Sequence, residues 1–252
     1  MKTLLLDIEN SPNLATIWGI FNQNISINQL LETSRVLCFT AQWVGEDYAW
    51  FMSEYEHTHE GMINALWDFL DEADAVVHYN GKRFDMPVIN REFLKYELTP
   101  PSPYKQIDLM MTVKKQFRFV SNKLDHVCDE LGIGRKVSHE GHELWLKCMN
   151  NDPAAWRKME EYNIQDVSLL GELYDKLKPW ITDHPNIALY TDSDSPVCPN
   201  CGSTHLQRRG NAATTTMTYQ RYQCQDCGTW SRSRTNNRTK TQKANTITQV
   251  KS

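Results

Sequence analysis

The chain has 252 residues, 40% of them hydrophobic, with 27 Lys or Arg against 31 Asp or Glu and a net charge of −4, which is room for one ordinary domain and a small module. No apolar run reaches transmembrane length and the three leucines before Asp7 are too few for a secretory signal core, so we expect neither a membrane-spanning nor an exported chain but a soluble, cytoplasmic protein. The charge is divided: from Pro196 onward nine basic residues accompany one acid, about +8, whereas the first 195 residues hold eighteen basic and thirty acidic, about −12.

The opening, Thr3 to Glu9, reads as a buried strand running into two acids. The side-chain period of a strand is two, so Asp7 and Glu9 project from one face about 7 Å apart. Two carboxylates so close at the edge of a core are costly to ionise together unless a cation sits between them, and Mg²⁺ or Mn²⁺ suits oxygen ligands. A strand ending in a solvated acidic turn is the plainer alternative. Arg35 to Val44 and Tyr48 to Ser53 flank Gly-Glu-Asp as a hairpin, giving a three-stranded antiparallel start with Thr3 to Ile8.

Glu60 to Glu72 has helical spacing, Ala75 to Tyr79 is a short apolar strand, and a further helix runs through Tyr96 to a Pro-rich break at Pro100 to Pro103. This order implies an α/β layer structure with a mixed sheet flanked by helices. Asp85, before Met86-Pro87, is placed as a helix N-cap, a site carboxylate, or both. The loop Asn80 to Phe84 would project from a strand end, where α/β folds put their sites. We expect Asn80 and Phe84 to contact nucleic acid; Lys82 and Arg83 are either phosphate contacts or a solvated pair. Asp108 reads as a helix N-cap and not as catalytic. A helix from Asn122 closes at Gly132, and the last long helix starts at Asp152-Pro153 and finishes before Pro179. On it Tyr162 and Asp166, four apart, share a face near the apolar stripe.

Asp7-Ile-Glu9, Asn80-Gly-Lys-Arg-Phe-Asp85 and Tyr162-Asn-Ile-Gln-Asp166, in this order and each at its expected element, resemble the three exonuclease motifs of the DnaQ-like 3′-5′ exonucleases of the ribonuclease-H-like superfamily. Residues 124–132 are also similar to the helix before the last motif in exonuclease domains of family B polymerases. Glu161 stands where one subfamily has histidine, and Tyr162 matches the tyrosine of the other, the DEDDy type. The resemblance implies that Asp7, Glu9 and Asp166 hold one divalent ion, that Asp7 bridges to a second, and that Asp85 supports the second through water. Two cations about 4 Å apart serve both ends of an in-line phosphodiester displacement. Tyr162 would orient the attacking water, since a phenol is a poor base at neutral pH.

Cys198-Pro-Asn-Cys201 and Cys224-Gln-Asp-Cys227, each followed by glycine, predict a structural Zn²⁺ site in a zinc ribbon over 198–234. His205 is an alternative ligand that four cysteines make unnecessary. Arg208, Arg209, Arg221 and Arg232, with Tyr219, Tyr222 and Trp230 among them, suit phosphate contact and base stacking, or the aromatics pack the hairpin. Cys38, Cys128 and Cys148 are scattered free thiols. Residues 1–181 form the catalytic domain in this reading, 182–197 a linker and 235–252 a disordered basic tail.

These features predict a two-metal 3′-5′ exonuclease acting on DNA, single-stranded by preference, with a nucleic-acid-binding ribbon and a replication or repair protein as a possible partner. A 3′-5′ exoribonuclease is the second reading. An inactive nucleic-acid-binding adaptor is the third, and the presence of all four acids and the tyrosine argues against it.

Overall fold

The computed structural model describes residues 1–250. The chain divides into two compact units, Met1–Asp175 and Lys176–Ser252. In the first, strands β1 (Thr3–Asn10), β4 (Val36–Trp43), β5 (Ala49–Ser53), β6 (Ala75–His78) and β7 (Lys105–Asp108) form one sheet in the order β5-β4-β1-β6-β7. β1 is antiparallel to β4 and parallel to β6, so the sheet is mixed, as the sequence predicts. Between β1 and β4 the chain makes a small two-stranded flap, β2 (Leu14–Ala15) and β3 (Leu30–Glu32), which leaves Trp18, Ile20 and Phe21 exposed. Residues 11–34 carry no period that predicts this flap.

Strand alternation sorts β1 into two faces. Leu4, Leu6 and Ile8 enter a core with Met62, Ile63 and Leu66 of helix α1 (His59–Glu72) and Met86, Ile89 and Phe93 of helix α2 (Asp85–Lys95). Each such side chain contributes about 1.5–3 kcal/mol by leaving water. Leu5, Asp7 and Glu9 point the other way, towards the long helix that ends this unit.

Helix α3 (Leu109–Gln116) is capped by Asp108, whose carboxylate accepts from the Met110 amide at 3.1 Å, the role its sequence predicts. Asp108 also ends β7, a four-residue strand too short to show a period. After α4 (Leu124–Glu130) and α5 (His142–Met149) comes α6 (Pro153–Leu177), begun by Asp152, which accepts from Ala154 at 2.8 Å.

The expected N-cap role of Asp85 is corrected: Asp85 is the first residue of α2, and Phe84 precedes it without a side-chain cap. The carbonyls of Asn80 and Gly81 already take the amides of Phe84 and Met86, so no carboxylate is needed there.

In the second unit β8 (Leu206–Ala213), β9 (Thr218–Cys224) and β10 (Trp230–Asn236) form a sheet in the order β10-β9-β8. The segment read as a linker folds with this unit: a 3-10 turn at Ile187–Tyr190 is tied by Ile187 N–H to Pro199 O at 2.7 Å. The tail expected to be disordered holds β10 to Asn236 and then a one-turn helix, α7 (Lys240–Ala244), because Thr239 and Gln242 form a reciprocal capping box. Among the described residues no helix is long and apolar enough to cross a membrane.

Candidate active site

Helix α6 closes on the Leu5, Asp7, Glu9 face of β1 at Gly171, where a Cβ would lie 2.9 Å from Leu5 Cδ1. That approach sets the preceding turns of α6 over the acids. Asn163, fully buried, donates from Nδ2 to Asp7 Oδ2 at 2.7 Å and fixes helix to strand. One carboxylate oxygen from each of Asp7, Glu9 and Asp166 lies within 4.8 Å of the others. Asp85 lies outside this group, yet its charge acts on both Asp7 and Glu9.

The electrostatics of the cluster are unfavourable without a cation. Burial, then the charge of Asp166, pushes Glu9 up to about 8, against the pull of Lys136. Burial, then Glu9, Asp166 and Asp85, holds Asp7 well above the usual carboxylate range. Asp85 is pushed to about 6 by burial and by Asp108. Asp166, 2% exposed, is raised by burial, and its Oδ1 has no hydrogen-bond partner. A buried carboxylate oxygen left orphaned beside two more carboxylates is the donor set a hard divalent cation takes, so these residues fit Mg²⁺ or Mn²⁺.

Besides Asn163, three residues without a signal in the local sequence pattern build the site: Lys136, Trp145 and His139. Lys136 Nζ donates to Asp166 Oδ2 and lies 3.2 Å from the Tyr162 hydroxyl. Burial opposes its charge, but Asp166 and its neighbours hold Lys136 above its ordinary value. The Trp145 indole, beside Glu9, offsets a small part of the rise at Glu9. The Tyr162 ring meets His139 at 4.8 Å and Trp145 at 6.0 Å, both edge to face, so α5 and the loop before it lock its orientation. Burial, then Glu9 and Asp166, keeps Tyr162 protonated well past neutrality.

The loop after β6 is shaped by a close approach. A Cβ at Gly81 would lie 2.7 Å from His78 Cγ and 2.8 Å from Asp85 Oδ2, so only glycine lets the loop pass between them. Asn80 donates its backbone N–H to Asp108 Oδ1 at 2.9 Å, which ties the same loop to β7. Asp7, Tyr79, Asn80, Asn122, Lys123 and Lys136 line one cleft of 420 Å³, with two lysines at its wall. Phe84 is 55% exposed, with the Arg83 guanidinium 5.6 Å from its ring.

In the second unit the four cysteines come together. Sγ of Cys198 and Cys227 are 3.6 Å apart, as are those of Cys201 and Cys224, and all four lie within 4.8 Å. A tetrahedron with metal–sulfur bonds of about 2.3 Å has edges of about 3.8 Å, so the set fits Zn²⁺. Burial would raise Cys224, but hydrogen bonds from the amides of Cys227 and Asp226 bring it down to about 7. Burial pushes Cys198 up to about 11 and raises Cys201 as well, so the set ionises fully only with a cation among the sulfurs. His205 is turned to Asp226 at 3.1 Å and stands outside the cysteine group. The register separates the predicted arginines: Arg208 pairs with Tyr222 on one face, while Arg232 pairs with Arg221 on the other, where Arg209 reaches Gln223 at 3.1 Å.

A sequence model of the RNase H superfamily matches residues 31–178, more than half of the chain. The span includes Asp85, Tyr162 and Asp166 and begins after Asp7 and Glu9. A search of curated proteins finds no match. Among solved structures the chain is similar to the family B DNA polymerase from the hyperthermophilic archaeon Pyrobaculum calidifontis, with 18% identity and a TM-score of 0.54. That likeness covers 71% of this chain and 24% of the polymerase, so this chain spans about a quarter of that protein and the shared feature is the fold.

Proposed function

The chain belongs to the RNase H superfamily, and from that premise we propose that it is a metal-dependent 3′-5′ exonuclease that removes nucleotides from DNA, single strands by preference. The observation that carries this reading is the convergence of Asp7, Glu9 and Asp166 on one point, with the Asp166 Oδ1 buried and unpartnered. Asp7, Glu9 and Asp166 would hold one Mg²⁺ or Mn²⁺ and Asp85 would support a second; bound there, the ions supply an activated water and neutralise the leaving 3′ oxygen.

The chain's own residues do the rest. Asn163 holds Asp7 in its rotamer. Tyr162, protonated and clamped between His139 and Trp145, is a donor of fixed direction for the attacking water. Lys136 offsets charge at Asp166, and with Lys123 it gives the cleft cations for the phosphate backbone. The four cysteines would hold one structural Zn²⁺ and so order the basic ribbon, which holds the strand.

Asp7→Asn and Asp166→Asn keep the shape of each side chain and remove a charged ligand. Both variants should fold, and both should lose Mg²⁺-dependent release of nucleotides by at least about 10³-fold. Full activity in either variant would remove these carboxylates from the chemistry.

A further inference from the structure

The sheet of the second unit has two unlike faces. Leu206, Tyr222, Ser231 and Ser233 share a cleft with Val197 and Pro199, so one face is backed by the unit's own leading segment. Arg232 and Arg234 also border this cleft, but the Arg232 guanidinium lies against the Tyr219 ring of the other face. The other carries Tyr219, Arg221 and Gln223 from β9, with Trp230 directly opposite Gln223 and Arg232 directly opposite Arg221. Its cations and rings are already stacked: the Arg221 guanidinium lies 4.9 Å from the Trp230 ring and that of Arg232 lies 4.0 Å from the Tyr219 ring. Arg221 is steadied by donating from Nε to the Arg209 carbonyl at 2.8 Å.

We infer that this face is a docking platform for single-stranded nucleic acid, a step that rests on the proposed action on nucleic acid and names the surface and the form of strand. Charge complementarity is the first ground. From Pro196 onward the single acid is Asp226, which is engaged by Ser203 and His205, and among the described residues no carboxylate pairs with Arg209, Arg221 or Arg232. Three arginines in a row without a counter-ion are matched by a phosphate chain. The stacks are the second ground. Trp230 is 50% exposed, and its ring, beside the single Arg221 guanidinium, gains by accepting an unstacked base. A duplex offers phosphates but no free base faces, so it uses only half of this surface. Arg208, on the covered side, is not part of it.

The test is fluorescence anisotropy with the full zinc-loaded chain and a labelled 20-mer of thymidylate, without added Mg²⁺ or Mn²⁺, over a range of salt. Trp230→Ala should weaken binding at least about fivefold with an unchanged salt slope, as loss of one base stack does. Arg232→Ala should flatten the logarithmic salt slope by about 0.7, the share of one phosphate contact on a single strand. Trp230→Phe keeps a π face and should retain most of the affinity, which together with an unchanged zinc content separates stacking from misfolding. A blunt duplex of the same length should bind more weakly than the single strand and be indifferent to Trp230→Ala. Unchanged affinity in Trp230→Ala, or equal affinity for the two forms of DNA, would overturn the platform. Binding read in this way needs no hydrolysis, so an inert carboxylate site would leave it intact, and a failed platform would leave degradation of short strands intact.

Discussion

Lys136 donates to Asp166 across thirty residues of chain, and the same nitrogen lies 3.2 Å from the Tyr162 hydroxyl. One cation thus links the two α6 side chains on which the proposed chemistry depends. Replacing it by methionine keeps the bulk and removes the charge. Lys136→Met should lower turnover by about 10²-fold, the order lost with one preorganised donor, with a smaller change in KM. Steady-state kinetics on a short oligonucleotide checks this, and unchanged turnover would make Lys136 a bystander.

Tyr162 is a donor held by its neighbours and contributes no charged ligand. Tyr162→Phe keeps the ring between His139 and Trp145 and removes only the hydroxyl. Turnover should fall by about 10²-fold, in the range for a positioned proton-handling group. Mn²⁺ affinity, read by calorimetry, should stay within about twofold of the parent. A large loss of affinity would show that the hydroxyl supports the ion.

The raised carboxylates give a pH dependence with a definite sign. Without divalent ion Glu9 titrates at about 8 and Asp85 at about 6, above their ordinary values of 4.5 and 3.8. Between the ordinary and the raised values the folded chain keeps protons that the unfolded chain has released. Stability without divalent ion should therefore fall as pH rises through that window. An incoming ion must displace the same protons, so Mn²⁺ affinity should climb from pH 6 to about 8 and level off above, with proton release detectable by calorimetry in two buffers. Affinity independent of pH would contradict the coupling.

Gly81 is required for lack of a Cβ. Gly81→Ala would press on His78 and on Asp85 Oδ2, both under 3 Å away. The expected result is destabilisation of about 1–3 kcal/mol, as for other overpacked sites. Activity should fall further than stability alone explains, measured as turnover at a temperature where the variant is fully folded. A variant as active and stable as the parent would mean that the loop has slack.

The antiparallel start of the sheet and the acids are legible because they obey short periods. Asp7 and Glu9 alternate with Leu6 and Ile8, and Tyr162 and Asp166 lie one helical turn apart, so local spacing places each pair on one face. Lys136 obeys no period: it sits in a polar loop between α4 and α5, where a lysine reads as solvated until the fold brings α6 over it. Trp145 and Asn163 read as ordinary helix residues for the same reason. On the ribbon the arginines were legible as a group but not by face. A bulge between Arg208 and Asn211, and another between Arg232 and Asn236, shift the register without any signal in the local pattern.

Polarity of degradation tests the central claim most directly. One single-stranded DNA, labelled at its 3′ end in one sample and at its 5′ end in another, is incubated with the whole chain with and without Mg²⁺. The account predicts immediate release of a labelled mononucleotide from the 3′-labelled strand. It predicts a ladder shortening one nucleotide at a time from the 5′-labelled strand, and neither without Mg²⁺ nor with Asp166→Asn. Release of the 5′ label first, internal cleavage, or hydrolysis that persists in Asp166→Asn would contradict it.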